Sequence, residues 1–298
     1  MNVRSRVGVA VLSVATLLLS ACGSSSLGGG AEPAGGSTPS VSSDTSLADK
    51  LPESIKSKGK ITVGTDASYA PSEFLDPDGK TVVGFDVDLF KAVAAKFGTT
   101  AEFQPAKFDS IIVGVQAKKY DVGVSSFTVN AKRMQQATMV SYFSAGTQWA
   151  TAAGNPKGVD IENACGKTIA VQTATVQQEE DLPAKQKACG SNKINILPFD
   201  GQDDATAAVA SGRADAMLAD SPVVAYAVKQ SGGKLEALGD TYDAAPYGYV
   251  LPKDQTEFGT AITEALKQLK ADGTYEQILQ KWGVDQGGIT DFAVNPSV

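Results

Sequence analysis

The segment DVGVSSFTVNAKR, residues 121–133, joins a short apolar strand, a polar turn and an arginine. Val122 and Val124 alternate with small or polar residues, which is the spacing of a buried strand. Arg133 falls in the first turns of a predicted helix and presents paired donors in one plane, so it suits a small carboxylate. A surface arginine after an ordinary turn is the alternative for this segment taken alone. The turn carries hydroxyl groups at Ser125, Ser126 and Thr128.

Strands and helices alternate on both sides of this segment. Before it, strands at 60–65 and 101–103 enclose a helix at 86–97, and a helix at 109–118 leads into the strand at 121–125. This β-α-β-α-β order predicts a mainly parallel sheet. The same pattern repeats after the segment, so a second α/β lobe is expected. Its predicted strands lie at 167–172, 194–197 and 214–219.

The last part of the chain is too short for a third lobe. It contains an extended apolar run at 247–251 and two helices, at 257–271 and 274–282. We expect it to return to the first lobe, so that the chain crosses between the lobes twice. The predicted fold is α/β, with two mixed, mainly parallel sheets joined by two crossover strands. The predicted boundaries are 51–149 with 248–298 for the first lobe and 150–247 for the second.

Residues 1–21 have the pattern of a signal peptide. Arg4 and Arg6 precede an apolar run at 7–19 that is short for a membrane span. Small residues before Cys22 resemble the cleavage site of bacterial lipoproteins. Lipid on this cysteine would anchor the protein outside the cytoplasm, at the cell membrane. Ordinary secretion with an incidental cysteine is the alternative.

A flexible tether is predicted to follow the lipidated cysteine, over residues 22–50. Gly, Ser, Thr, Pro and Ala dominate this segment. With few large apolar groups, such a segment cannot offset the entropy lost on ordering. Lipid, tether and globule together predict a protein that is held at a membrane and works in water.

Composition excludes several classes of protein. The formal net charge is −7 and no basic tract is present, which argues against nucleic-acid binding. The chain contains no histidine, so histidine-based catalysis and histidine metal sites are excluded. We expect no metal, no cofactor and no catalytic residue. Cys165 and Cys189 most simply form a disulfide in an exported protein, whereas two separate buried thiols are the alternative.

Polar residues follow four predicted strands at their carboxyl ends, where open α/β sheets bind ligands. Two of these segments belong to each lobe, so the cleft between the lobes is the expected site. Asp220 supplies an acceptor for an ammonium group, and the turn at 173–175 opens a helix whose free N–H groups favour an anion. Tyr69 and Phe108 could enclose an aliphatic stem. With Arg133 as the partner of a carboxylate, this set predicts an α-amino acid as ligand.

Each of these residues also has a structural interpretation. Asp220 could cap the helix that starts at Ser221, and Asp66 could be a turn residue. Tyr69 and Phe108 are more often core residues. A shared location at the ends of strands favours a binding site, because a purely structural role for all four is much less expected.

Seven segments in fixed order resemble the extracellular solute-binding proteins of family 3, which serve polar amino-acid ABC transporters. Each motif is weak alone, but the ordered set is specific and covers about residues 58–283. The resemblance implies a two-lobed periplasmic-binding-protein-like fold of type II and a monomer that is not an enzyme. Its partners would be ABC permease and ATPase subunits. The segments are VGTDASYAP (63–71), VGFDVDLFKAVAAKFG (83–98), KFDSIIVGVQAKKYDVGVSSFTVNAKR (107–133), YFSAG (142–146), KTIAVQTATVQQE (167–179), GRADAMLADSP (212–222) and LKADGTYEQILQKWG (269–283).

The resemblance also implies a role for each candidate residue. Arg133, with Thr128 and the Ser126 backbone, would bind the α-carboxylate of the ligand. The amides of Thr175 and Val176 would add donors from the second lobe. Asp220 would accept from the α-ammonium group. The ligand side chain would lie between Tyr69 and Phe108 and contact Asp66, Ser125 and Gln172.

The side-chain preference is less defined than the amino-acid frame. The family usually has Gly-Thr-Thr or Gly-Thr-Ser where this chain has Ala174-Thr175-Val176, so one hydroxyl donor is lost. Asp66 favours a side chain that donates hydrogen bonds, such as that of glutamine or a basic amino acid. Two other functions fit the same fold, an amino-acid-sensing receptor and a periplasmic dehydratase.

Overall fold

The computed structural model describes residues 41–298, so the predicted signal peptide and Cys22 lie outside the described range. The strands are β1 (Lys60–Thr65), β2 (Ser68–Tyr69), β3 (Glu73–Leu75), β4 (Val82–Val83), β5 (Thr100–Pro105), β6 (Val122–Gly123), β7 (Thr138–Ala152), β8 (Thr168–Gln172), β9 (Asn195–Phe199), β10 (Ala216–Asp220) and β11 (Leu235–Leu251). The α-helices are α1 (Thr45–Ala48), α2 (Glu53–Lys58), α3 (Phe85–Lys96), α4 (Phe108–Gln116), α5 (Ala131–Gln136), α6 (Leu182–Gln186), α7 (Gln202–Ala210), α8 (Ser221–Gln230), α9 (Thr256–Ala271) and α10 (Thr274–Trp282). A π-helical turn (Gln177–Asp181) leads into α6, and 3-10 turns lie at Lys187–Cys189 and Asp285–Gly287.

Eight of these strands form one mixed sheet in the order β5-β1-β6-β11-β7-β10-β8-β9, and β2, β3 and β4 form a small separate sheet. The pairs of β1 with β5 and β6, and of β8 with β9 and β10, are parallel. The antiparallel pairs of the large sheet all involve β7 or β11. The predicted mixed, mainly parallel α/β architecture is therefore confirmed. We call β5, β1 and β6 the first half of the sheet, and β10, β8 and β9 the second half.

The two predicted sheets are continuous rather than separate, because β7 and β11 run antiparallel through both halves. β7 pairs with β10 from Thr147 to Thr151 and with β11 along most of its length. The register of β11 against β7 shifts between Leu238 and Tyr242, and again between Tyr242 and Ala245. Irregularities of this kind bend a strand and increase its twist. The two halves therefore meet at a bend that both long strands share.

The second half of the sheet is covered on both faces, as its apolar strands predict. Met217 and Ala219 of β10 enter one hydrophobic cluster, whereas Ala216 and Leu218 enter another. Alternate residues of a strand point to opposite faces, so a strand buried on both sides is apolar throughout. The largest cluster lies in the first half and includes residues of α3, α9 and α10.

Part of the predicted tether belongs to the fold. Within residues 41–50, Asp44 caps α1 and its carboxylate accepts a hydrogen bond from the Ser46 amide at 2.8 Å. Leu47 is fully buried in the large cluster, and Gln268 of α9 donates to Asp44 at 2.8 Å. The prediction of a tether up to residue 50 is therefore wrong for this stretch, since one buried leucine and one capped turn fix it despite its polar composition.

Cys165, before β8, and Cys189, in the 3-10 turn before β9, form a disulfide beside the second half of the sheet. The disulfide, rather than two separate buried thiols, is therefore the alternative that the structure contains.

No helix within residues 41–298 has the length and apolar character of a membrane span. The same stretch holds no cluster of three or more acidic or sulfur ligands that could bind a metal ion.

Candidate ligand-binding site

Arg133 is positioned by the first turn of α5. Asn130 caps this helix, and its side-chain oxygen accepts a hydrogen bond from the Arg133 amide at 2.8 Å. The buried guanidinium group donates to the Thr128 carbonyl at 2.9 Å and to the Ala174 carbonyl at 3.1 Å. Its Cζ atom lies 5.4 Å from the ring centre of Phe108. One side chain thus links the turn after β6 in the first half to the turn after β8 in the second.

Asp220 ends β10 and is buried at the start of α8. It occupies the N-cap position of that helix, but its side chain makes no capping hydrogen bond there. The carboxylate accepts hydrogen bonds from Gln177 at 2.8 Å, from Tyr69 at 3.0 Å and from Tyr247 at 2.7 Å. Burial raises the pKa of Asp220, while these donors and the charge of Arg133 oppose the rise. A cation placed beside Asp220 would further stabilise its ionised form.

Asp66 is a turn residue that also lines the cavity. Its carboxylate accepts hydrogen bonds from the amide and the hydroxyl of Ser68, at 3.1 and 2.5 Å, and from the Phe108 amide at 3.0 Å. These bonds fix the turn after β1 to the start of α4. The same carboxylate lies in the wall of the cavity described below. Burial raises the pKa of Asp66, and the hydrogen bonds from Ser68 and Phe108 act in the opposite direction.

The turn after β6 rests on two buried acidic side chains. The Ser125 hydroxyl donates to Glu73 Oε1 at 3.2 Å and accepts from the Asp66 amide at 3.0 Å. The Ser126 amide donates to Asp86 Oδ2 at 3.2 Å. Ser126 has a φ of 48°, in the left-handed region. A residue with a side chain is strained there and depends on its surroundings to hold it.

The turn after β8 has a matching conformation in the second half. Ala174 is also left-handed, with a φ of 63°. The Thr175 hydroxyl donates to the Gln172 carbonyl at 2.8 Å. Within residues 41–298 the amides of Thr175 and Val176 have no hydrogen-bond acceptor. Since these amides precede the helical turn at Gln177–Asp181, they are available to an anion.

These side chains surround one cavity between the two halves. All eleven residues predicted to bind a ligand line it, and Gln177 lines it in addition. Phe127 does not line it, and instead stacks behind Phe108 with ring centres 4.6 Å apart. The lining residues are Asp66, Tyr69, Phe108, Ser125, Ser126, Thr128, Arg133, Gln172, Thr175, Val176, Gln177 and Asp220.

Two residues that hold Asp220 escaped prediction, Gln177 and Tyr247. Gln177 lies in the first helical turn after Thr175, so the helix start that indicated an anion site could also have indicated this amide. Its Nε2 atom donates to Thr147 as well, at 3.1 Å. Tyr247 is visible in the sequence only as part of an extended run, and no local pattern shows that its hydroxyl reaches β10.

The fold and the cavity are those of a two-lobed protein that binds small solutes. The family model of the bacterial extracellular solute-binding proteins, family 3, matches residues 61–285, and the chain belongs to this family. It is therefore a solute-binding protein and not an enzyme, as predicted. The predicted fold family is confirmed as well.

The similar proteins bind amino acids. The chain is 36% identical over 248 residues to the arginine-binding protein ArgT of Corynebacterium glutamicum, covering 82% of this chain and 81% of that protein. The structure of an ancestral arginine-binding protein bound to arginine matches with a TM-score of 0.69 at 34% identity, over 75% of this chain and 98% of that chain. A structure of an ancestral arginine-binding protein bound to glutamine also matches with a TM-score of 0.69 at 34% identity, over 76% and 98%.

Proposed function

We propose that this protein captures a polar L-amino acid in the cavity and delivers it to an ABC permease in the membrane. One observation carries the proposal: a single cavity contains a buried guanidinium group, Arg133, and a buried carboxyl group, Asp220, from opposite halves. An α-amino acid carries the complementary carboxylate and ammonium groups on one carbon. Membership of the family supports the permease and its ATPase as partners.

The amino-acid frame would be bound from both halves. Arg133, with Thr128 and the Ser126 backbone, binds the α-carboxylate, and the amides of Thr175 and Val176 add two donors. At present Arg133 donates to neutral carbonyl oxygens. A carboxylate is a stronger acceptor for a guanidinium group, because the hydrogen bonds become charge-assisted.

The charges of the cavity support a basic amino acid, with glutamine as the second choice. Arg133 and Asp220 are matched by the α-carboxylate and the α-ammonium group. Asp66 is the remaining acidic residue of the lining, so a side chain that donates hydrogen bonds or carries a positive charge complements it. The arginine-binding relatives described above point to arginine as the first ligand to test.

We propose that the ligand docks on the first half and that the second half then closes over it. Surface ion pairs span the two halves, Lys107 with Asp200 at 2.6 Å and Lys132 with Glu179 at 2.6 Å. Exposed pairs contribute only about 0–1 kcal/mol each. Buried hydrogen bonds between the halves, such as that from Tyr69 to Asp220, add to these pairs. Contacts of the ligand with both halves would stabilise the closed form further. The hinge lies at the register shifts of 238–245, slightly before the predicted end of the second lobe.

The remaining parts of the proposal concern where the protein works. We propose that it acts as a monomer outside the cytoplasm, attached to the cell membrane by lipid on Cys22. The apolar run and the small residues before this cysteine support the anchor. Metabolic labelling with a palmitate analogue tests it directly, and a Cys22→Ser variant should lose the label.

A thermal-shift panel of the twenty L-amino acids tests the central claim. A specific ligand present at about 100 times its dissociation constant adds about 2.7 kcal/mol of stability. We expect a shift with L-arginine and related basic amino acids, and a smaller one with glutamine. Absence of a shift with every amino acid would overturn the proposed function. Recovery of the unchanged ligand after incubation separates binding from turnover.

A further inference from the structure

Two acidic side chains, Glu73 and Asp86, lie directly behind the cavity wall. Both are fully buried, and neither lines the cavity. Glu73 starts β3, and Asp86 lies in the first turn of α3. The Asp86 amide donates a hydrogen bond of 3.1 Å to the carbonyl of Ser72, the residue before Glu73. Gly84 permits this approach, because a Cβ atom there would lie 2.0 Å from the Ser72 carbonyl oxygen.

Hydrogen-bond donors are shared unequally between the two carboxyl groups. Asp86 Oδ2 accepts from the amide and hydroxyl of Ser126, at 3.2 and 3.4 Å, and from the Tyr142 hydroxyl at 2.5 Å. Glu73 Oε1 accepts from the Ser125 hydroxyl at 3.2 Å. The other two oxygens, Oε2 of Glu73 and Oδ1 of Asp86, are buried without a partner in the described part of the chain. The two residues approach each other at the Ser72 carbonyl and beneath the adjacent residues Ser125 and Ser126, so one proton shared between these oxygens would satisfy both.

No salt bridge in the described part of the chain compensates the charge of the pair. None of the salt bridges of residues 41–298 involves Glu73 or Asp86. Burial and the nearby charge of Asp86 raise the pKa of Glu73 well above its ordinary value. Two neighbouring buried carboxyl groups cannot both be ionised at modest cost. The titratable groups that face the pair are Asp66, Tyr69, Tyr142, Tyr247, Tyr249 and Tyr275.

We propose that Glu73 and Asp86 share one proton, held on Glu73, and that this pair positions the Ser125–Ser126 turn for ligand binding. Ionised Asp86 accepts from the Ser126 amide and so holds the strained left-handed residue in place. Neutral Glu73 donates to Asp86 and accepts from Ser125. Both are positioning residues, since they act on the cavity through the two serines. The inference rests on the proposed function only in taking this turn as part of the ligand site.

The pair makes the turn sensitive to rising pH. Loss of the shared proton as pH rises places a second negative charge beneath the turn. That charge disfavours the folded state and repels a ligand carboxylate bound at Ser126. Thermal stability should therefore decline as pH rises above 4.5, the ordinary pKa of glutamate, because the unfolded chain releases this proton while folded Glu73 keeps it. Ligand affinity should decline once folded Glu73 is ionised as well.

Two amide substitutions locate the proton. Glu73→Gln and Asp86→Asn each leave one negative charge in the pair, because an amide stands in for the protonated carboxyl group. Glu73→Gln leaves the charge on Asp86, where Ser126 and Tyr142 stabilise it. Asp86→Asn moves the negative charge to Glu73, whose carboxylate accepts a hydrogen bond from Ser125 but not from Ser126 or Tyr142. We expect Asp86→Asn to unfold at a lower temperature than Glu73→Gln at neutral pH, measured by circular dichroism.

Binding of L-arginine measured by calorimetry from neutral to alkaline pH provides the second readout. Wild-type affinity should fall by about tenfold, equivalent to about 1.4 kcal/mol, whereas Glu73→Gln should show a flatter profile because it has no shared proton to lose. The titration of the ligand itself is common to both proteins and cancels in their ratio. Thermal unfolding across the same pH range should show the same difference without ligand.

Infrared spectroscopy detects the proton directly. The difference spectrum between wild type and Glu73→Gln should contain the carbonyl stretch of a protonated carboxyl group, and the exposed control Glu257→Gln should not remove that band. A band and pH profile unchanged in Glu73→Gln, or equal stability of the two amide variants, would overturn the inference. If the band and the unfolding profile depend on Glu73 but no amino acid binds, the proposed function fails and the shared proton stands.

Discussion

The Tyr69 hydroxyl donates a hydrogen bond of 3.0 Å to Asp220 Oδ2, across 151 positions of sequence. The Asp220 amide donates back to the Tyr69 oxygen at 3.2 Å. Tyr69 belongs to β2, which follows the first strand of the first half, whereas Asp220 ends β10 in the second half. Burial and the charge of Asp220 raise the pKa of Tyr69 well above its usual range, so the phenol keeps its proton at physiological pH. This reciprocal pair fastens the two halves beside the cavity.

Removing this hydroxyl should weaken ligand binding. Tyr69→Phe keeps the ring but deprives Asp220 of one donor, and a hydrogen bond to a charged group contributes about 1.5–3 kcal/mol. We expect a loss of affinity for L-arginine of at least about tenfold, about 1.4 kcal/mol, in calorimetry. Tyr226→Phe is the matched control, because Tyr226 is half-exposed on α8 and does not line the cavity. If the two substitutions changed the affinity equally, the assignment of Tyr69 to the binding site would be wrong.

Arg133→Ala should abolish tight binding. A buried ligand carboxylate would lose its charged partner, which costs about 2–5 kcal/mol. Lys132→Ala on the same helix is the control, since Lys132 is exposed and, among residues 41–298, forms its salt bridge with Glu179 at the surface. Its effect should stay within about 1 kcal/mol. Similar affinities of both variants in calorimetry would contradict the assignment of Arg133.

Asp220→Asn should erase the preference for amino acids over their deaminated analogues. The ammonium group loses its charged acceptor, whereas an analogue that lacks this group loses nothing. Competition binding with both compounds measures the ratio directly. An unchanged ratio would mean that the ammonium group lies elsewhere in the cavity.

Acid pH should weaken binding through the same carboxyl group. Because burial raises the pKa of Asp220 above the ordinary aspartate value of 3.8, the group takes up a proton at a higher pH than a free aspartate does. The neutral form cannot pair with an ammonium group. Wild-type affinity should therefore decline as pH is lowered, starting above pH 3.8, and Asp220→Asn should lack this decline.

Ala174→Gly should stabilise the protein. A left-handed residue with a side chain costs about 1–2 kcal/mol relative to glycine, and the added freedom of glycine in the unfolded chain offsets part of that gain. We expect a net increase of about 1 kcal/mol in the free energy of unfolding. Ala207→Gly, at an exposed position within α7, should have the opposite sign, with a loss of about 1 kcal/mol. Urea denaturation of both variants gives the comparison.

Removal of the disulfide should reduce stability while sparing the site. Cys165 and Cys189 are 24 positions apart, and a loop of that size is worth about 3 kcal/mol in the chain-entropy model. Neither cysteine lines the cavity. The double serine variant should therefore unfold at lower urea concentration, yet bind L-arginine with affinity close to wild type at low temperature.

The order of strands and helices was predictable because it depends on local periodicity. The residues at strand ends were predictable for a related reason, since topology brings the carboxyl ends of parallel strands to one edge. The Tyr247–Asp220 hydrogen bond could not be predicted, because it depends on how β11 bends between the halves. The capped turn at Asp44 could not be predicted either, because the polar residues around it indicated a flexible tether. Long-range register and single buried side chains thus mark the limit of what local patterns convey.

The path of β11 also determines the order in which the two halves can mature during synthesis. The strands β8, β9 and β10 emerge close together and can pair as soon as they are made. The first half must wait, because Gly123 of β6 pairs with Val250 near the end of β11, and its core requires α9 and α10. Since chains are made from the amino terminus, the half that is begun first is completed last. A chain truncated before β11 ends would leave β6 as an unprotected strand edge, open to aggregation.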